Sequence, residues 1–143
     1  MAQIDIEKRT CIRFEIPGAT LSFKTKKMFN HRDDYQEEFC PVADISRGGL
    51  RFLSKSQPKL NAPVIVKLSI PGEQIPFMLK GIIRWIGRYA GSVYATQVGV
   101  QFNPYGDESK DQNYPGALVK IIALEQKFAP EDPAVPSSDP SKR

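Results

Sequence analysis

Hydrophobic and polar residues alternate with a period of two along most of this chain, and that period belongs to strands. Ile12, Phe14 and Ile16 alternate with Arg13 and Glu15, which predicts a strand from Cys11, stopped by Pro17-Gly18. Leu21 and Phe23 then oppose Ser22 and Lys24 in a second strand over 19–26. Lys27 to Glu38 is polar and of mixed charge, and is expected to be a long loop. Further strands are predicted over Phe39–Ile45 and, after a turn at Ser46-Arg47-Gly48-Gly49, over Leu50–Leu53. The clearest alternation runs from Pro63 to Ile70, with Val64, Val66, Leu68 and Ile70 on one face and Lys67 and Ser69 on the other. Pro71-Gly72 turns the chain into a long strand over Ile75–Ile86, and the last strand places Tyr94, Thr96, Val98, Val100 and Phe102 on one face.

Near the end the period changes. Leu118, Ile121, Ile122 and Glu125 form a helical stripe adjoined by Ala117, Leu124 and Phe128, so one C-terminal helix is expected to cap the sheet. Antiparallel strands joined by short turns must bury one face and dispose of their edges, which favours a small barrel or a strongly bent sheet. Residues 1–8 are polar and expected to be a flexible arm. Residues 129–143, rich in Pro, Ser and charge, are expected to be a disordered tail.

A chain of 143 residues is one domain's worth, long enough for a core without staples. The net charge of +4 favours anionic partners without choosing among nucleotide, nucleic acid and membrane surface. Cys11 and Cys40 form no CxxC pair, and with His31 as the single histidine they are too few for a metal site. A reduced, cytoplasmic setting is the simplest expectation, since MAQIDIEKRT lacks a signal peptide's apolar stretch. No apolar run reaches membrane-spanning length, the longest strands being broken by Lys67, Lys80 and Arg84. No catalytic constellation, Walker A loop or GxGxxG is present, so the chain is not expected to be an enzyme or to carry a cofactor.

Two short motifs carry candidate chemistry. Arg9 and Arg13 stand in an RxxxR spacing preceded by Lys8; guanidinium forks grip phosphates and the O6/N7 edge of guanine and stack on base faces. Asp44-Ile45-Ser46-Arg47-Gly48-Gly49 is a DxSxxG pattern at a strand–turn–strand junction. There a carboxylate can accept from guanine N1–H and N2–H, the serine can donate to phosphate, and glycine permits positive φ and close ligand approach. Each motif alone reads as well as a basic chain start or a hairpin turn. Trp85, beside Arg84, could stack on a guanine, but barrel packing is the expected role and it is left outside the site.

The two motifs in this order, followed by Gly99-Val100-Gln101-Phe102 at the end of a late strand, resemble the PilZ domain family over roughly residues 7–128. The resemblance implies an all-β, six-stranded antiparallel β-barrel with a C-terminal α-helix, within residues 9–128. It further implies binding of cyclic di-GMP by Arg9, Arg13, Asp44, Ser46, Gly48 and Gly49. Lys8 stands where some members have a further arginine, and a stacked ligand pair held there less firmly is the expectation. The implied function is a receptor whose surface changes on binding, read by a separate downstream protein in motility, exopolysaccharide or biofilm output. A nucleic-acid-binding barrel and a ligand-independent pilus-assembly adaptor are the alternatives. The first lacks interleaved exposed aromatics; the second does not need intact motifs.

Overall fold

A computed structural model describes residues 12–25 and 35–129. Six strands, β1 (Thr20–Thr25), β2 (Glu37–Ser46), β3 (Gly49–Ser54), β4 (Pro63–Ser69), β5 (Phe77–Arg88) and β6 (Thr96–Phe102), precede one helix, α1 (Pro115–Phe128). The strands close into an antiparallel barrel in the order β1-β2-β3-β6-β5-β4, which removes every free edge. This is the six-stranded barrel that the family resemblance implied, whereas alternation alone also predicted a strand from Cys11. The interior is lined by predicted apolar positions, among them Leu21, Phe23, Val64, Leu68 and Val98, all fully buried, and by Phe52 and Ile83. Phe23 and Phe52 meet at a ring-centroid distance of 5.1 Å. Helix α1 lays Ala117, Ile121 and Leu124 on this core, as its stripe predicts, and buries Glu125 with them. Pro115 starts it, where a missing N–H is harmless. Ala129, placed by sequence in the tail, is its C-cap and packs on the core.

Several boundaries differ from expectation, each for a physical reason. Residues 12–16 do not form a strand; Phe14 alone bridges to Ile45, through two backbone hydrogen bonds of 2.9 Å. The rest of β2's edge is already taken by β1, where Thr20 pairs with Pro41. The alternation survives as burial, with Phe14 and Ile16 inside and Arg13 and Glu15 outside. Strand β2 begins at Glu37, inside the expected loop, and Phe39 sits at φ 58° where the β1–β2 register slips by one residue. Both faces of β1 are buried rather than one: Tyr35 lies 5.2 Å from the Lys24 ammonium and 5.0 Å from that of Lys67, roofing the polar face. Strand β5 runs from Phe77 to Arg88 rather than Ile75–Ile86, and β6 begins at Thr96, leaving Tyr94 in the preceding turn. No helix among the described residues is long and apolar enough to cross a membrane.

Candidate functional site

The DxSxxG turn lies where β2 hands over to β3. Register places Asp44 opposite Arg51, Arg51 opposite Gly99, and Gly99 opposite Trp85, one row across β2, β3, β6 and β5. Two bulges shape this row. One sits at Val42–Asp44 on β2. The other sits at Ile83–Trp85 on β5, where an extra residue turns both Arg84 and Trp85 to the outside instead of opposite faces.

Asp44 is only 6% exposed, and both of its oxygens are used. Oδ1 accepts from Arg13 Nη1 at 3.2 Å, and Oδ2 accepts from Arg51 Nε at 2.9 Å and from Arg51 Nη2. The hydrogen bonds and charge of Asp44 raise the pKa of Arg51, so this guanidinium is fixed in its charged form. The Phe14–Ile45 bridge is what delivers Arg13, because Arg13 and Asp44 are the residues immediately before the bridged pair.

Ser46 does not project a free hydroxyl. Its Oγ accepts from the Gly48 N–H at 3.3 Å and lies 3.4 Å from the Gly49 carbonyl, closing the turn on itself. Gly49 is required for a reason other than the one expected. Its φ is not positive; an added Cβ would lie 2.1 Å from the Val100 carbonyl oxygen, so the neighbouring strand's backbone excludes it. Gly48 contributes its carbonyl to the Phe102 N–H at 2.8 Å. The turn is also held from below: Arg47 donates to Glu125 of α1 through Nε (3.3 Å) and Nη2 (2.7 Å), and the Tyr105 hydroxyl donates to the Arg47 carbonyl at 2.7 Å.

An open cleft of about 350 Å³ lies over this wall, lined by Arg13, Ser46, Gly48, Gly49, Arg51, Arg84, Trp85 and Gln101, among others. A volume of that size suits a small-molecule ligand. Among the described residues, three guanidinium groups, those of Arg13, Arg51 and Arg84, surround it against the single carboxylate of Asp44, a surplus of two positive charges. Arg84 is itself held by Gln101 Oε1 and Asn61 Oδ1, each at 3.1 Å. The arrangement can bind a planar anion; among the described residues it holds no nucleophile–base pair.

The structure therefore brings together Arg13, Asp44, Ser46, Gly48 and Gly49 from the sequence expectation, while Lys8 and Arg9 lie outside the described residues. Sequence reasoning passed over Arg51, Arg84 and Gln101 and set Trp85 aside. Arg51, two residues beyond Gly49 on the outward face of a strand, was open to discovery from the motif's own position. That Arg84 and Trp85 share the outer face was not, since strict alternation sends neighbours to opposite faces.

Compared with known proteins, residues 7–113 match the family model described as PilZ domain. No curated protein matches the chain in sequence. Among solved structures, the Bacillus subtilis inhibitor of motility MotI/DgrA superposes with a TM-score of 0.58 at 11% identity, covering 85% of this chain and 51% of that one. The K. pneumonia MrkH–c-di-GMP complex superposes with a TM-score of 0.56 at 14% identity, covering 85% and 53%. This chain spans about half the length of each, and at these identities the likeness is one of fold.

Proposed function

This chain belongs to the PilZ domain family, and from that premise we propose that it is a cytoplasmic, non-catalytic receptor for cyclic di-GMP. The observation that carries the reading is the delivery of Arg13 to Asp44 beside an open, arginine-lined cleft. That arrangement brings the second arginine of RxxxR to the aspartate of DxSxxG, 31 residues further along the chain. MrkH, similar in fold, was solved as a complex with c-di-GMP. Cyclic di-GMP is a dianion carrying two guanines, so it matches both the surplus charge and the paired donors and acceptors on offer.

On this reading Arg13 and Arg9 bind phosphate and guanine, with Lys8 adding charge. Asp44 accepts from a guanine edge, and the Ser46–Gly49 turn presents close-approaching backbone. Arg51 is the ready further guanidinium. Filling the cleft engages Arg13 and so alters the surface that a separate effector protein reads.

Calorimetric titration with cyclic di-GMP tests the reading. Saturable binding is expected, weakened roughly tenfold or more by Arg13→Ala, since each charge-assisted hydrogen bond contributes about 1.5–3 kcal/mol. A wild-type protein that gives no saturable heat, or an Arg13→Ala variant of unchanged affinity, overturns it.

A further inference from the structure

Asn61, in the connector between β3 and β4, sits at φ 66° in the left-handed region. Asparagine tolerates that conformation, and a turn would need nothing more of it. Its surroundings give it a second task. The connector is tied to β5 by a pair of backbone bonds: the Asn61 N–H donates to the Ile83 carbonyl at 2.6 Å, and the Ile83 N–H donates to the Ala62 carbonyl at 3.0 Å. The next residue of β5 is Arg84, and Asn61 Oδ1 accepts from its Nη1 at 3.1 Å. From the other side of β5, Gln101 of β6 accepts from Arg84 Nε, also at 3.1 Å. The left-handed turn thus delivers one arm of a clamp and β6 delivers the other. An arginine has more N–H donors than these bonds use, so Nη2 and the second hydrogen of Nη1 remain for a ligand.

Both arms of the clamp are neutral amides. Arg13 and Arg51 share the Asp44 carboxylate, and Arg47 has Glu125. Among the described residues, Arg84 is therefore the guanidinium of the cleft whose charge no carboxylate offsets. A neutral clamp fixes the direction of a guanidinium without cancelling its charge. Arg84 is exposed, and left to itself it would turn freely in solvent and lose that freedom on gripping an anion. Held in advance, it loses little, and more of the interaction remains as affinity. We propose that Asn61 is a positioning residue for ligand binding, which with Gln101 holds Arg84 at the cleft wall as a seat for a ligand phosphate. The seat stands on β5, three strand intervals from Asp44 on β2, or about 14 Å along the wall at ordinary strand spacing. The proposal rests on the receptor reading above and adds to it a residue outside both motifs.

A double-mutant cycle read by calorimetry with cyclic di-GMP tests it. Asn61→Gly keeps the positive φ accessible and removes only the acceptor, so the melting temperature should stay within a few degrees. Binding should weaken by about two- to tenfold, the cost of ordering one rotamer-rich side chain. Arg84→Ala should weaken binding at least as much, and adding Asn61→Gly to it should cost nothing further, because the clamp then has nothing to hold. Should Asn61→Gly fail to fold, Gln101→Ala, which removes the other arm, goes through the same cycle with the same expectation. Wild-type affinity in Asn61→Gly, or a loss as large in the Arg84→Ala background as in the wild type, overturns the clamp and leaves the receptor reading standing. Absence of any binding to wild type overturns both.

Discussion

Removing the Arg47 side chain tests whether helix α1 supports the Ser46–Gly49 turn or merely lies nearby. Arg47 grips Glu125 with two nitrogens, at 3.3 and 2.7 Å, and the Glu125 side chain is 8% exposed against 40% for Arg47. The asymmetry in burial fixes the expected asymmetry in cost. Arg47→Ala strands a carboxylate inside the barrel–helix interface, and breaking a buried pair in this way costs about 3–5 kcal/mol. Arg47 is partly in water, which weakens the pair it forms, so about 2–3 kcal/mol is the better expectation. Glu125→Gln instead leaves Arg47 able to turn toward solvent and keeps one acceptor, and should cost about 1 kcal/mol. Replacing both by methionine should recover most of the loss, because no charge is then buried without a partner. Urea denaturation followed by circular dichroism measures all four proteins, and for a chain of this length Arg47→Ala should lower the melting temperature by roughly 6–10 °C. If Arg47→Ala lies within about 0.5 kcal/mol of wild type, or Glu125→Gln proves the more damaging, the pair does not hold the turn.

Asp44→Ala should reduce the preference for cyclic di-GMP over cyclic di-AMP, and an unchanged affinity ratio would remove Asp44 as a reader of the base. Gly49→Ala sets a methyl 2.1 Å from the Val100 carbonyl oxygen and must part β3 from β6; a loss of about 3 kcal/mol is expected in denaturation, and a stable variant would refute the close-approach argument. Burial pushes the Glu37 carboxyl up, but hydrogen bonds from the Lys55 and Ser56 N–H groups and the Ser54 and Ser56 hydroxyls outweigh it and hold the pKa below the ordinary value. Its contribution is therefore present above the ordinary carboxylate range and lost as pH falls through the lowered folded value. The melting-temperature gap between wild type and Glu37→Gln should accordingly shrink as pH falls from the ordinary carboxylate range through the lowered folded value, and a constant gap would refute the assignment. Truncation after Ala129 should leave the melting temperature nearly unchanged; a fall of many degrees would show that residues 130–143 pack on the barrel.

The barrel was legible because its inward positions keep strict alternation: Val64, Val66 and Leu68 need no context to be placed inside. Helix α1 was legible for the corresponding reason at a period of 3.6. What escaped was wherever the period breaks. At Phe39 and at Arg84–Trp85 an extra residue slips the register, and a pattern of alternating polarity carries no sign of it. The stop after Phe14 escaped because its cause is β1 occupying the same edge of β2, a non-local fact. The burial of Lys24 escaped because Tyr35, arriving from a polar stretch, covers it. In the site, the motifs named Arg13, Asp44 and the turn; Arg51 was within reach on the outward face two residues beyond Gly49, and strand register makes it Asp44's second partner.

That second partner changes what ligand binding must involve. With both Asp44 oxygens engaged, a guanine edge can reach the carboxylate only by displacing or sharing an arginine. The two arginines are not equally displaceable. Arg51 donates twice, from within a strand of the barrel, whereas Arg13 makes one bond at 3.2 Å from a segment pinned by a single bridged residue. Arg13 is also the more exposed, 61% against 40%, so it gives up less on moving into the cleft. On the receptor reading the exchange therefore occurs at Oδ1: Arg13 leaves Asp44 for a ligand phosphate or base, and the freed oxygen accepts the guanine N–H. Arg51 stays and keeps the buried carboxylate paired throughout, so no step strands a charge. Arg51→Ala should then harm binding in two ways at once, by removing a cation from the cleft and by leaving Arg13 as the sole guanidinium partner of Asp44, which it would no longer release. Calorimetry should show a larger loss for Arg51→Ala than for Arg84→Ala, whose guanidinium is tied to Gln101 and Asn61 rather than to Asp44; equal losses would mean that the exchange at Asp44 does not take place.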